Sequence, residues 1–124
     1  LLAARPADEP VLDSLRAIVL LRARDIDRDP ERTIRQGALI RSTPALQLRR
    51  HERQAALEAA LTPLVADRLG TDDPADLRAA LVVAATFTAF RVATVTWLAG
   101  TDSSLTQLLD DALAQLAAGL GDLT

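Results

Sequence analysis

The chain has 124 residues, 49% hydrophobic and 25% charged, with a net charge of −3, which suits one globular core and is short for two domains. It contains no Cys, so a disulfide framework and any thiolate metal site are excluded, and nothing argues against a cytosolic setting. Residues 1–53 carry 11 Arg against 8 acidic residues, +3, and residues 54–124 carry 3 Arg against 9, −6; the basic residues alternate with acidic ones, as on solvated helix faces rather than a nucleic-acid surface.

Helix signals follow one another along the chain. Leu1–Arg5 reads as the end of a helix stopped by Pro6, because proline disfavours helical geometry in the residue before it. A first complete helix is predicted over Glu9–Asp25, with Leu12, Leu15, Ile18, Val19 and Leu21 on its buried side. Asp29 then offers an N-cap before Pro30 and Glu31, and the helix it starts carries Ile34, Ala38 and Ile40 to about Ser42. Thr43 and Pro44 repeat the device for a long helix reaching Leu69, with Gly70 as its stop and a kink or break expected near Ala59–Thr62 because of Pro63.

The next helix, predicted over Pro74–Gly100 with Asp73 as its cap, carries only Arg91 as an ionised side chain between Arg78 and Asp102. Leu77, Leu81, Thr88, Val92 and Val95 fall on one face, and Val83, Phe87, Phe90, Thr94, Trp97 and Leu98 on a second, broader one. One face suits the domain's own core, and the other requires further cover. A partner subunit, a ligand cavity or a bilayer could supply it, and a bilayer is the weakest of the three, because Arg91, the threonines and the many alanines dilute the apolar run that a spanning helix needs. Ser104 and Gln107 form a capping box for a last helix, where Leu105, Leu108, Leu109, Ala112, Leu113, Leu116 and Leu120 recur at helical spacing. No strand alternation and no fixed repeat occurs, so the fold class is all-α, a bundle of about five helices after an N-terminal helix remnant, with residues 1–124 as a single domain.

Catalytic chemistry finds little material. The sole histidine, His51, lies among Arg49, Arg50, Glu52 and Arg53 on a predicted exposed face. No HExxH, phosphate-binding glycine loop or GxSxG elbow occurs. Asp110 and Asp111 are adjacent on a helix, so they diverge by about 100° and are expected in solvent. No enzyme, metal or cofactor is expected. Arg91 is the exception: flanked by Phe87, Phe90, Thr94 and Val95, its guanidinium either pairs with a carboxylate from another helix or meets an anionic or polar ligand in a cavity.

The stretch Leu2-Ala-Ala-Arg-Pro-Ala-Asp-Glu-Pro-Val-Leu-Asp-Ser-Leu15 resembles the junction, in actinobacterial TetR-type regulators, where the helix leaving the DNA-binding domain gives way to the first sensor helix. Ile40-Arg-Ser-Thr-Pro-Ala-Leu-Gln-Leu-Arg49 is similar to the segment between their sixth and seventh helices. The Ala-rich helix ending in Thr96-Trp-Leu-Ala-Gly100 and the Leu-rich helix from Leu105 resemble their eighth and ninth. The resemblance is strongest to the subgroup of mycofactocin-type regulators; Pro63, and Gln54 and Ala55 in place of a frequent Trp, depart from the pattern. It implies a C-terminal effector-binding and dimerisation domain, soluble in the cytoplasm, that meets DNA only through an N-terminal helix-turn-helix domain this sequence lacks.

On that basis the expected function is effector sensing and dimerisation in a TetR-like regulator, a repressor, with a small, largely apolar effector. The effector pocket is predicted at Leu15, Val19, Leu57, Phe87, Arg91 and Thr94, with Arg91 as polar anchor, and a homodimer interface at Leu81, Thr88, Val92, Val95, Leu105, Leu109, Leu113 and Leu116. The alternative is an all-helical scaffold or protein-interaction module without a small-molecule site. A cavity of about 300 Å³ or more separates the two readings.

Overall fold

The computed structural model of the chain describes residues 2–119; the expected stripe residue Leu120 lies outside them. Among the described residues there are five α-helices and no strand: α1 (Val11–Arg28), α2 (Pro30–Ser42), α3 (Pro44–Arg68), α4 (Leu77–Leu98) and α5 (Leu105–Ala118). The N-terminal remnant is a single 3-10 turn, Leu2–Ala4.

The boundaries follow from local chemistry, and three of them correct the sequence reading. α1 starts later and ends later than predicted. Pro10, at ψ 137°, stands outside the helix, and the Glu9 side chain is engaged by Arg5 and Ser14. α1 then runs on until Asp29 leaves helical geometry at φ −142° and caps α2 through the Arg32 N–H. Of the kink or break expected at Pro63, α3 shows no break; the carbonyl of Ala59 that proline leaves unpaired sits on an exposed residue, and the Thr62 hydroxyl donates to the Glu58 carbonyl at 2.7 Å. α4 begins at Leu77, capped by Asp76, which accepts from the backbone of Arg78 and Ala79 at 2.9 and 3.3 Å. Asp73 and Pro74 instead form a turn closed by the Asp76 N–H on the Asp73 carbonyl, since proline suits the second turn position as well as a helix start.

Gly70 at φ 76° ends α3: its N–H meets the Asp67 carbonyl, and the Thr71 N–H meets that of Ala66, the paired closure that a left-handed residue permits.

α4 is the central element and packs against α5, α3 and α1, while α2 bridges α1 and α3. Two apolar clusters hold the bundle. In one, Leu20, Ala23 and Ile26 of α1 meet Ala89 and Ala93 of α4 and Leu105, Leu109 and Leu113 of α5. In the other, Leu2, Val11 and Leu15 meet Val65 and Ala66 of α3 and Ala79 and Val83 of α4. Leu20, rather than the expected Leu21, belongs to the buried side of α1, and Leu21 is 57% exposed. α2 buries none of its residues. Arg68 ties the N-terminal segment down, its guanidinium donating to the carbonyls of Leu2 and Pro6 and to Ser14 Oγ.

By length and composition α4 could cross a membrane. Its packing against three other helices of the bundle is that of a core helix. The buried side of α4 is Ala79, Val83, Thr86, Ala89, Ala93 and Thr94; of the broader predicted face Val83 and Thr94 are buried and Phe87, Phe90, Trp97 and Leu98 half-buried, while Leu77, Leu81, Thr88, Val92 and Val95 lie on the surface.

Candidate ligand cleft

One helix face from each of α1 to α4 converges on a cleft of about 380 Å³. α3 contributes Leu46, Arg49, Arg50 and Arg53, which recur at three- and four-residue spacing and therefore share one side of the helix. α2 contributes Thr33, Gln36, Gly37 and Ile40 by the same rule. α4 supplies Phe90, Thr94 and Leu98 at successive turns, and α1 supplies Arg22 and Ile26. The result is an apolar interior made by Ile26, Ile40, Leu46, Phe90 and Leu98 beneath a rim of arginines. A smaller recess of about 210 Å³ continues between α1 and α2, where Asp25, Asp29 and Arg32 join the lining.

The charge of the larger cleft is one-sided. Its lining holds four arginines and no carboxylate. Among the described residues none of the four donates a hydrogen bond or joins an ion pair, whereas Arg5, Arg16, Arg28 and Arg78 each have a carboxylate partner. Guanidinium groups without protein partners beside apolar surface suit an anionic group on an apolar body. Thr94 is buried, and its hydroxyl donates to the Phe90 carbonyl at 2.8 Å, leaving lone pairs for a donor. Among the described residues no three His, Cys, Asp or Glu side chains gather as metal ligands, and His51 is exposed.

Of the six predicted pocket residues, Thr94 alone lines this cleft. Leu15 is in the core, and Phe87 packs beside it in the same cluster. Val19 packs against the other cluster, and Leu57 is 47% exposed on the outside of α3. Arg91 is exposed, with neither the carboxylate partner nor the cavity position that were its two expected fates. Helical spacing gives direction without height: Phe87 and Leu98, on one predicted face of α4, lie about 16 Å apart along the axis at 1.5 Å per residue. The cleft opens beside the last turns of α4, above Phe87. The residues missed were the α2 face and the α3 arginines, whose spacing from Leu46 to Arg53 was visible but read as a solvated face.

The predicted interface residues divide as well. Leu81, Thr88, Val92 and Val95 are exposed on α4, whereas Leu105, Leu109 and Leu113 are buried within the chain at 0, 0 and 1% and present no surface to a partner. Leu116 is half-buried against the first cluster.

A family model described as the MftR C-terminal domain, one of the TetR C-terminal families, matches residues 9–121. The chain belongs to this family, and so is an all-α regulatory domain of a TetR-type transcriptional regulator, the part that in such proteins serves effector binding and dimerisation. No curated protein matches the chain.

Proposed function

We propose that the chain is a single effector-sensing and dimerisation unit of a TetR-like repressor, and that its effector is a largely apolar molecule carrying an anionic group, held in the cleft between α1, α2, α3 and α4. The observation that carries this reading is the rim of Arg22, Arg49, Arg50 and Arg53, unpaired among the described residues, over an apolar interior. The volume exceeds the roughly 300 Å³ at which small-molecule sites begin, which favours a sensor over a closed helical scaffold. The anionic anchor is the α3 arginine face in place of Arg91.

Occupancy would act by shifting the balance between two arrangements of the helices, since a ligand moves such an equilibrium only by binding one arrangement better. The partner is a second copy of this chain. The exposed stripe of Leu77, Leu81, Thr88, Val92 and Val95 on α4 supports a symmetric interface.

The test is thermal stabilisation by dodecanesulfonate, by the neutral dodecanol and by inorganic sulfate. The sulfonate should stabilise the wild-type chain, the other two should do so much less, and Arg49→Gln/Arg53→Gln should abolish the difference. Equal stabilisation by sulfonate and alcohol in the wild type, or an unchanged preference in the variant, overturns the anionic anchor.

A further inference from the structure

The surface side of α4 mirrors itself about its own middle. Leu77, Leu81, Thr88, Val92 and Val95 are exposed along it, and Ala84 and Ala85 lie half-buried in the same stripe. α4 runs from Leu77 to Leu98, so Thr88 sits at its middle. Counted from Thr88, Leu81 and Val95 stand seven residues to either side, and Ala84 and Ala85 mirror Val92 and Arg91 at four and three residues. At 3.6 residues per turn these steps keep to one side of the helix. At each of these mirror pairs a larger side chain on one half of the stripe answers a smaller one on the other.

We infer that two copies of the chain pair their α4 helices antiparallel, with the two-fold axis passing at Thr88. This rests on the reading of the α4 stripe as the interface between copies, and it fixes the direction and register of that contact. Antiparallel pairing about Thr88 sets Leu81 over the partner's Val95 and Val92 over the partner's Ala85, so that bulk meets a gap. Parallel pairing would set leucine on leucine and alanine on alanine, leaving a void near mid-helix, where lost contacts are costly. Charge selects the same direction. The ionised side chains of α4 are Arg78 and Arg91; Arg78 keeps Asp76 as its partner, whereas Arg91 is exposed beside the stripe and joins no ion pair among the described residues. Parallel pairing would close Arg91 on the partner's Arg91. Antiparallel pairing holds the two about 9 Å apart along the axis, six residues at 1.5 Å each, and lays the positive end of each helix dipole beside the negative end of the other.

The chain has no cysteine, so a single introduced thiol reports on its own copy. The experiment oxidises Thr88→Cys, Leu81→Cys and Val95→Cys separately, then a mixture of the last two, and reads covalent dimer by non-reducing electrophoresis, with light scattering and circular dichroism of each. Facing residues on helices packed about 8–10 Å apart lie within disulfide reach, whereas the two Leu81 positions would stand about 21 Å apart along the axis. Thr88→Cys should give about ten-fold more covalent dimer than Leu81→Cys or Val95→Cys alone, and the mixture should cross-link where its components do not. The mixture reads the register independently, so a Thr88→Cys chain that failed to fold would still leave the inference open to refutation. Leu81→Cys cross-linking to itself as readily as Thr88→Cys overturns the antiparallel register and leaves the stripe as the interface. A wild type that is monomeric at micromolar concentration, or a dimer in which no variant cross-links, overturns the interface reading, and this inference with it.

Discussion

Asp27 of α1 caps α5 through Thr106: its carboxylate accepts from the backbone N–H and the hydroxyl of Thr106, and also from the N–H of Leu105 at 3.0 Å. A carboxylate at a helix N-terminus satisfies orphan donors and meets the positive end of the dipole. This one comes from 78 residues away in sequence. It also immediately follows Ile26, which forms part of the cleft wall, so the start of α5 is fixed to that wall.

Removing this cap should cost more than an ordinary local one, because α5 loses a long-range tie as well as a turn. Asp27→Ala should destabilise the chain by about 1–2 kcal/mol, and Asp27→Asn, which keeps an acceptor oxygen, by less. Urea denaturation of both variants measures this. Equal losses in both would mean that charge, not hydrogen bonding, carries the contact.

Glu9 predicts a pH dependence. Hydrogen bonds from Arg5 and then Ser14 hold its carboxyl at about 2, against an ordinary value of 4.5. With the native value depressed, the unfolded chain binds more protons between the two values, so the contribution is complete above about 4.5 and is lost as the pH falls towards about 2. Glu9→Gln should therefore lie below the wild type in stability at neutral pH and converge on it in acid. Denaturation midpoints at neutral pH and near pH 3 check the sign; a gap that widens in acid would contradict it.

Two leucines separate the core from the proposed interface. Leu109 is fully buried, so Leu109→Ala should cost about 2–5 kcal/mol of folding stability. Leu81, 63% exposed on α4, should tolerate replacement within the chain, yet Leu81→Asp should shift a dimer towards monomer. Light scattering over a dilution series beside denaturation of each variant distinguishes the effects. A monomeric wild type at micromolar concentration would remove the interface.

Most of the fold was legible because it rests on local signals. Asp29-Pro30 and Thr43-Pro44 mark helix starts, and Gly70 and Gly100 mark ends, through backbone geometry that needs no knowledge of neighbours. Pro63 interrupts α3 with no break because the carbonyl it frees is on an exposed residue, a tertiary fact. On α4 the stripe from Leu77 to Val95 is set apart from the buried side as its spacing predicts, but Ala79, Thr86, Ala89 and Ala93, which make up most of that buried side, fell in neither predicted face. The cleft was not read, because helical spacing gives angles while the choice of which faces converge, and at what height, belongs to packing. Arg49, Arg50 and Arg53 illustrate this: solvated on α3 alone, they become a rim only when α2 and the end of α4 stand opposite them.

The account stands on where an anionic amphiphile binds, and backbone amide shifts on adding decanesulfonate test this directly. The account predicts the largest changes at Thr33, Gly37, Ile40, Thr94 and Leu98, around the cleft, and little change at Leu81, Val92 and Val95. Changes centred on the outer stripe of α4, or none at saturating ligand, would contradict it.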